Sequence, residues 1–243
     1  MDRMLSKYQE RKAIKRIIIL FAAAICLCFT GTGSALADSL ALTLTGGGPA
    51  TYNNIYVGPY PVSVNGGPSS PMICDDYATD ISQNYTWNAN AYTFSQLSQM
   101  KFYGNTSFGN NASTPAQAYE EVFYLSAQMM LQPQNSSNAN LAAIHYAIWE
   151  IMDPAAASGA PGGSGPTSTG YWLAQAIQNY ASVNTADFLV YTPTVPGTSG
   201  SGTSQEFIQV INPQNAMVPI PPSLLLLGTG LLGLVGLRKR PRK

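Results

Sequence analysis

Residues 218–243 read VPIPPSLLLLGTGLLGLVGLRKRPRK, and no other segment limits the fold of this chain so tightly. A proline-rich entry leads into an uncharged apolar run, Ser223 to Leu237, closed by Arg238, Lys239, Arg240, Arg242 and Lys243. The 20 residues from Val218 to Leu237, at ~1.5 Å each, match a bilayer core of ~30 Å. Five terminal cations resist burial in lipid, so the spacing predicts a transmembrane helix with its basic end in the cytoplasm.

The start of the chain carries the complementary signal. Arg11, Lys12, Lys15 and Arg16 precede a 13-residue apolar stretch, Ile17 to Phe29, which is short for a membrane span. Ala35-Leu36-Ala37 then supplies an A-x-A site, so a secretory signal peptide over residues 1–37 is expected, cut after Ala37. Cys26 and Cys28 lie inside it, and Cys74 is left without an intramolecular disulfide partner.

With both ends set aside, the neutral overall charge dissolves into unlike parts. Residues 38–218 hold ten carboxylates against one cation, Lys101, for a formal charge of −9. Phosphate recognition depends on Lys and Arg, so nucleic acid is excluded as a partner. An acidic exported domain over residues 38–212 is expected, with 213–243 as linker, span and basic tail.

Within the domain the apolar period changes twice. Leu40, Leu42 and Leu44 alternate with smaller residues, and Tyr60, Val62 and Val64 repeat the pattern before Asn65-Gly66-Gly67-Pro68. Residues 85–94 are another strand candidate. Thr114-Pro115 is a helix start, with the hydroxyl as cap and proline in the first turn. Asn138 or Asn140 caps a second helix that puts Leu141, Ile144, Ile148 and Ile151 on one face and ends at Asp153-Pro154. A third, shorter helix runs from Tyr171 to Tyr180, and residues 188–191 and 207–211 read as closing strands. The class is α+β: a β-rich barrel or sandwich with an inserted helical section, flanked by the signal peptide and the C-terminal transmembrane helix.

Few residues offer chemistry. One histidine, His145, and one mature cysteine do not make a zinc site. Asp75, Asp76 and Asp80 lack the calcium-loop register and read as a solvated acidic turn. No metal and no cofactor is expected. Cys74 and His145 are the residue types of a nucleophile–base pair, but two aspartates beside the sulfur disfavour the thiolate, and no enzymatic activity is expected. His145 stands one position off the apolar stripe of its helix, which predicts a place at the core edge.

The tail resembles the PEP-CTERM sorting signal in its VPLP-like variant. Val218, Pro219, Pro221 and Ser223 carry the motif, Gly228 and Gly230 interrupt the apolar run, and Arg238 to Lys243 close it. The resemblance implies an exosortase-type processing enzyme as partner. It also implies a destination at the cell surface or in an extracellular, exopolysaccharide-bearing matrix, with a structural or adhesive role in the envelope or biofilm. The domain is similar to thioester-domain adhesins over roughly residues 52–152, through Cys74-Asp75-Asp76 and the helix segment His145-Tyr146-Ala147-Ile148-Trp149. That resemblance implies a cysteine–glutamine thioester that acylates amines on a target. His145 occupies the expected glutamine position, so the bond requires Gln128 or another glutamine.

Overall fold

The computed structural model describes residues 39–132, 137–195 and 204–216. The expected signal peptide with Ala35 and Ala37, and the expected sorting tail from Val218 to Lys243, lie outside the described residues. Among the described residues no helix is long and apolar enough to cross a membrane.

Eight strands form: β1 (Leu40–Leu44), β2 (Ala50–Tyr52), β3 (Ile55–Val57), β4 (Tyr60–Val64), β5 (Ser70–Cys74), β6 (Thr86–Tyr92), β7 (Phe188–Pro193) and β8 (Phe207–Val210). Six of them close an antiparallel barrel in the order β1-β4-β5-β8-β7-β6, which decides the barrel over the sandwich. Closure leaves the barrel itself without a free edge. β2 and β3 make a separate hairpin, whose two-residue turn puts Asn53 and Asn54 at positive φ of 49° and 62°. Asparagine tolerates that region, and such a turn matches the strand twist.

Between β6 and β7 the chain inserts α1 (Pro115–Met130), α2 (Asn138–Met152) and α3 (Thr169–Asn179). Thr114 caps α1 as expected, its side chain accepting from Gln117 N. The cap of α2 is Ser137, ahead of both asparagines, accepting from Asn140 N. A final helical turn, α4 (Pro213–Ala216), buries Ala216 and accepts Asn184 N on its carbonyl at 3.0 Å.

Two cores follow from strand alternation. Leu42, Val62, Met72, Cys74, Trp87 and Phe207 fill the barrel interior. Their neighbours Ile73, Val190, Ile208 and Phe188 face outward and pack with the helices, as in the Phe123–Phe188 stack at 4.4 Å. Being covered on both faces, β5 loses the period-two pattern; Met72, Ile73 and Cys74 are buried in succession. It is the strand that periodicity does not reveal.

Candidate functional site

Cys74 ends β5 and pairs with Phe207 at the start of β8. Continued past the last ladder pair, that register sets Asp75 opposite Glu206 and Asp76 opposite Gln205. The acidic turn is therefore not solvated. Asp75, Asp76 and Glu206 are at most 1% exposed, and only Asp80 reaches solvent. Two carboxylates facing each other across strands repel, and the pair relieves this by holding a proton.

Asp75 is the member that keeps it. Burial, then Glu206 and Asp76, push its carboxyl well above the usual range. Glu206 is also raised by burial, but donors from Thr192, Tyr119 and Lys101 draw it back toward the carboxylate. Tyr119 Oη donates to Glu206 Oε1 at 2.6 Å, Lys101 N donates to Oε2 at 2.9 Å, and Thr192 Oγ1 donates to the same oxygen. Neither Asp75 oxygen makes a well-formed hydrogen bond. Lys101 Nζ ion-pairs with Asp76 Oδ2 and reaches Thr79 Oγ1 at 3.3 Å.

His145 sits in the centre of the fold rather than at the core edge. It is fully buried on α2, a helix enclosed on every side from Leu141 to Trp149, so an apolar stripe does not define its inner face. Gly58 N donates to His145 Nδ1 at 2.9 Å, and Nε2 lies 2.8 Å from Cys74 O, which accepts its proton. These bonds fix the neutral Nε2–H tautomer. Burial, with only the Cys74 carbonyl in opposition, pulls its pKa down to about 4. The ring stacks on Trp149 at 4.1 Å. Gly58 has φ +99°, and a Cβ there would meet the Pro49 ring at 2.9 Å, so glycine is required at the donor position.

These bonds dissolve the nucleophile–base pair: His145 meets the carbonyl of Cys74, and neither ring nitrogen is left for the sulfur. Cys74 Sγ instead donates to Asp76 O at 3.5 Å and accepts from Asp76 N at 3.4 Å. Burial, then Asp76 and Asp75, raises the thiol well above its ordinary value, so it is protonated. The indole N–H of Trp149 is turned toward the sulfur without a well-formed hydrogen bond.

The glutamine that shares a hydrogen-bond acceptor with Cys74 is Gln205, a residue with no signal of its own in the sequence. Its Nε2 donates to Asp76 O at 3.1 Å, the carbonyl that also takes the Cys74 thiol, and to Thr79 O. Gln128 stands near the end of α1, where its own carbonyl accepts from Gln132. Gln205 precedes an apolar strand by two residues and carries no local motif. Only the cross-strand register brings it to the cysteine.

A cleft of about 400 Å³ opens beside this pair, lined by Gln205, Asp76, Thr79, Tyr60, Tyr77 and Trp149, with Asp80 also in its wall. Among the described residues no group of three or more His, Cys, Asp or Glu side chains is arranged to hold a metal ion.

No protein-family model matches the chain, and no curated protein matches it. Among solved structures it is similar to the N-terminal thioester domain of the fibronectin-binding protein SfbI from Streptococcus pyogenes. The two share 10% identity at a TM-score of 0.39, over 74% of this chain and 94% of the other. The convergence of Cys74 and Gln205 on the Asp76 carbonyl stands on this chain's own hydrogen bonds.

Proposed function

We propose that this chain is an exported, non-enzymatic surface adhesin whose barrel domain carries an internal thioester between Cys74 and Gln205. The observation that carries the reading is the convergence of the Cys74 thiol and the Gln205 carboxamide on the Asp76 carbonyl, at the wall of the cleft. In forming the bond, Cys74 Sγ attacks Gln205 Cδ and the C–N bond breaks. The thiol proton leaves on the departing nitrogen as ammonia. A target amine entering the cleft then attacks Cδ, forms an amide with Gln205 and returns the thiol of Cys74. Burial keeps water from the acyl carbon. The −9 domain and Asp80 favour a protonated amine as the arriving partner.

Intact mass tests this directly. The thioester is expected to take one ammonia from the mass of the domain and to add one methylamine on exposure to that amine. Both changes vanish in Cys74→Ala and in Gln205→Ala. Full sequence mass without methylamine uptake would rule the thioester out.

The tail supports a proposed address. Val218 to Lys243 supports sorting by an exosortase-type enzyme to the envelope or an exopolysaccharide matrix, after membrane anchoring. Deleting residues 218–243 is expected to shift most of the protein from the cell-associated fraction to the medium. Unchanged surface retention in the deleted chain would refute that role.

A further inference from the structure

Lys101 is the one Lys or Arg between residues 38 and 237, and the fold places it against buried acid rather than on the surface. Its side chain is 15% exposed and its partner Asp76 is 1% exposed. An ion pair taken out of water costs more desolvation than an exposed one, and the cost rises when further carboxyls crowd it. Here two do. Asp75 follows β5 next to Asp76, Glu206 faces Asp75 across the strands, and both are 0% exposed. The Lys101 backbone N–H is tied to Glu206 Oε2 at 2.9 Å, which holds the root of the lysine stem over the cluster. Both Asp75 oxygens lack a hydrogen-bond partner. A buried amine, a carboxyl in contact with it and a second carboxyl free to carry protons are the components of an amide-forming site.

We propose that Lys101 Nζ and Asp76 Cγ condense to an intramolecular amide, with Asp75 as the proton carrier. The step begins with passage of a proton from Nζ to Asp76 Oδ2 within the ion pair, which frees the Nζ lone pair. The Nζ lone pair attacks Cγ and forms the C–N bond. The Asp75 proton is given to the departing hydroxyl, the C–O bond breaks, and water leaves. The nitrogen gives up its extra proton to the Asp75–Glu206 pair, which returns to its starting state. The balance is one ammonium and one carboxylate to one amide and one water, with no external reactant. The bond joins residues 25 apart and closes a loop that contains β6. It also fixes Asp76, whose carbonyl receives both Cys74 and Gln205.

The single lysine makes the test sharp. In the full-length chain, Lys101 is the only tryptic site between Arg16 and Arg238. Amide-bonded Lys101 resists trypsin, so after denaturation the expected product is one uncut fragment spanning that interval. Its mass, read in a Cys74→Ala background to remove any ammonia loss, is expected to be one water below the sequence value. Chymotryptic digestion should then yield a branched peptide joining Asp76 to Lys101. Lys101→Arg should be cut at position 101 and show the full mass. Cleavage after Lys101 in the parent chain, or the full sequence mass there, overturns the proposal. So does a water loss that persists in Lys101→Arg, because it places the dehydration within the aspartates. Asp75→Asn should leave most of the chain linear, and complete water loss in that variant would overturn the role of Asp75.

Discussion

His145→Ala is expected to destabilise the domain by about 4 kcal/mol, from two unpaired buried backbone groups and the space left by the ring. The groups are Gly58 N–H and Cys74 C=O, which His145 joins across 87 and 71 residues of sequence. The ring also fills the space between Tyr60 and Trp149. His145→Gln keeps a donor and an acceptor and is expected to lose about half as much. Urea unfolding of the three proteins measures this, and an alanine variant within ~0.5 kcal/mol of the parent would refute the linking role.

The same residue sets an acid limb. Unfolded, it protonates near 6.5, whereas in the fold burial holds it to about 4. The unfolded chain therefore binds the proton first. The contribution is whole above pH 6.5 and declines as pH falls toward 4, by about 3 kcal/mol in full. The buried carboxyls act in the opposite sense. Asp75, Glu206 and Glu121 are raised, mainly by burial, so the fold takes up their protons before the unfolded chain does. They lose stability as pH rises out of the carboxylate range. Acidification from pH 7 to 5 is accordingly expected to stabilise His145→Ala relative to the parent. Parallel stability–pH curves for the two proteins would show that His145 does not titrate as argued.

Glu206→Ala carries the second large effect, about 3–5 kcal/mol of lost stability. Its carboxylate receives Tyr119 Oη, Thr192 Oγ1 and Lys101 N, and it faces the proton held by Asp75. Alanine leaves these donors in a dry site without an acceptor. Glu206→Gln retains volume and one acceptor oxygen but turns an amide donor toward groups that are donors themselves, so an intermediate loss is expected. Glu121→Gln provides the comparison, because that buried carboxylate receives only Gln117 Nε2 and Asn110 Nδ2 among side chains. Thermal or urea unfolding that ranks Glu206→Ala no lower than Glu121→Gln would refute the hub assignment.

The legible parts of the fold are those governed by neighbouring residues. Thr114-Pro115 starts α1 because a hydroxyl and a ring act within one turn, and Leu40-Ala41-Leu42-Thr43-Leu44 makes β1 because alternation is a property of the strand itself. β5 was hidden because helices cover one face and the barrel interior the other, which erases alternation. An apolar stripe on α2 predicts an edge position for His145, whereas the barrel, the hairpin and the other helices enclose that helix all round. The aspartates were read as solvated because burial of a carboxylate is decided by what crosses over it, here Lys101 and β8.

The sequence by itself determined the charge economy: one lysine, one cysteine and ten carboxylates across residues 38–218. It also determined the start of α1 and the α+β class. Only the tertiary structure decided which acids lose water, which nitrogen serves His145, and which glutamine shares the Asp76 carbonyl with Cys74. Those outcomes depend on contacts such as Gln205 with Asp76, 129 residues apart in the chain. Closing the barrel brings β8 beside β5, and no local propensity encodes that register.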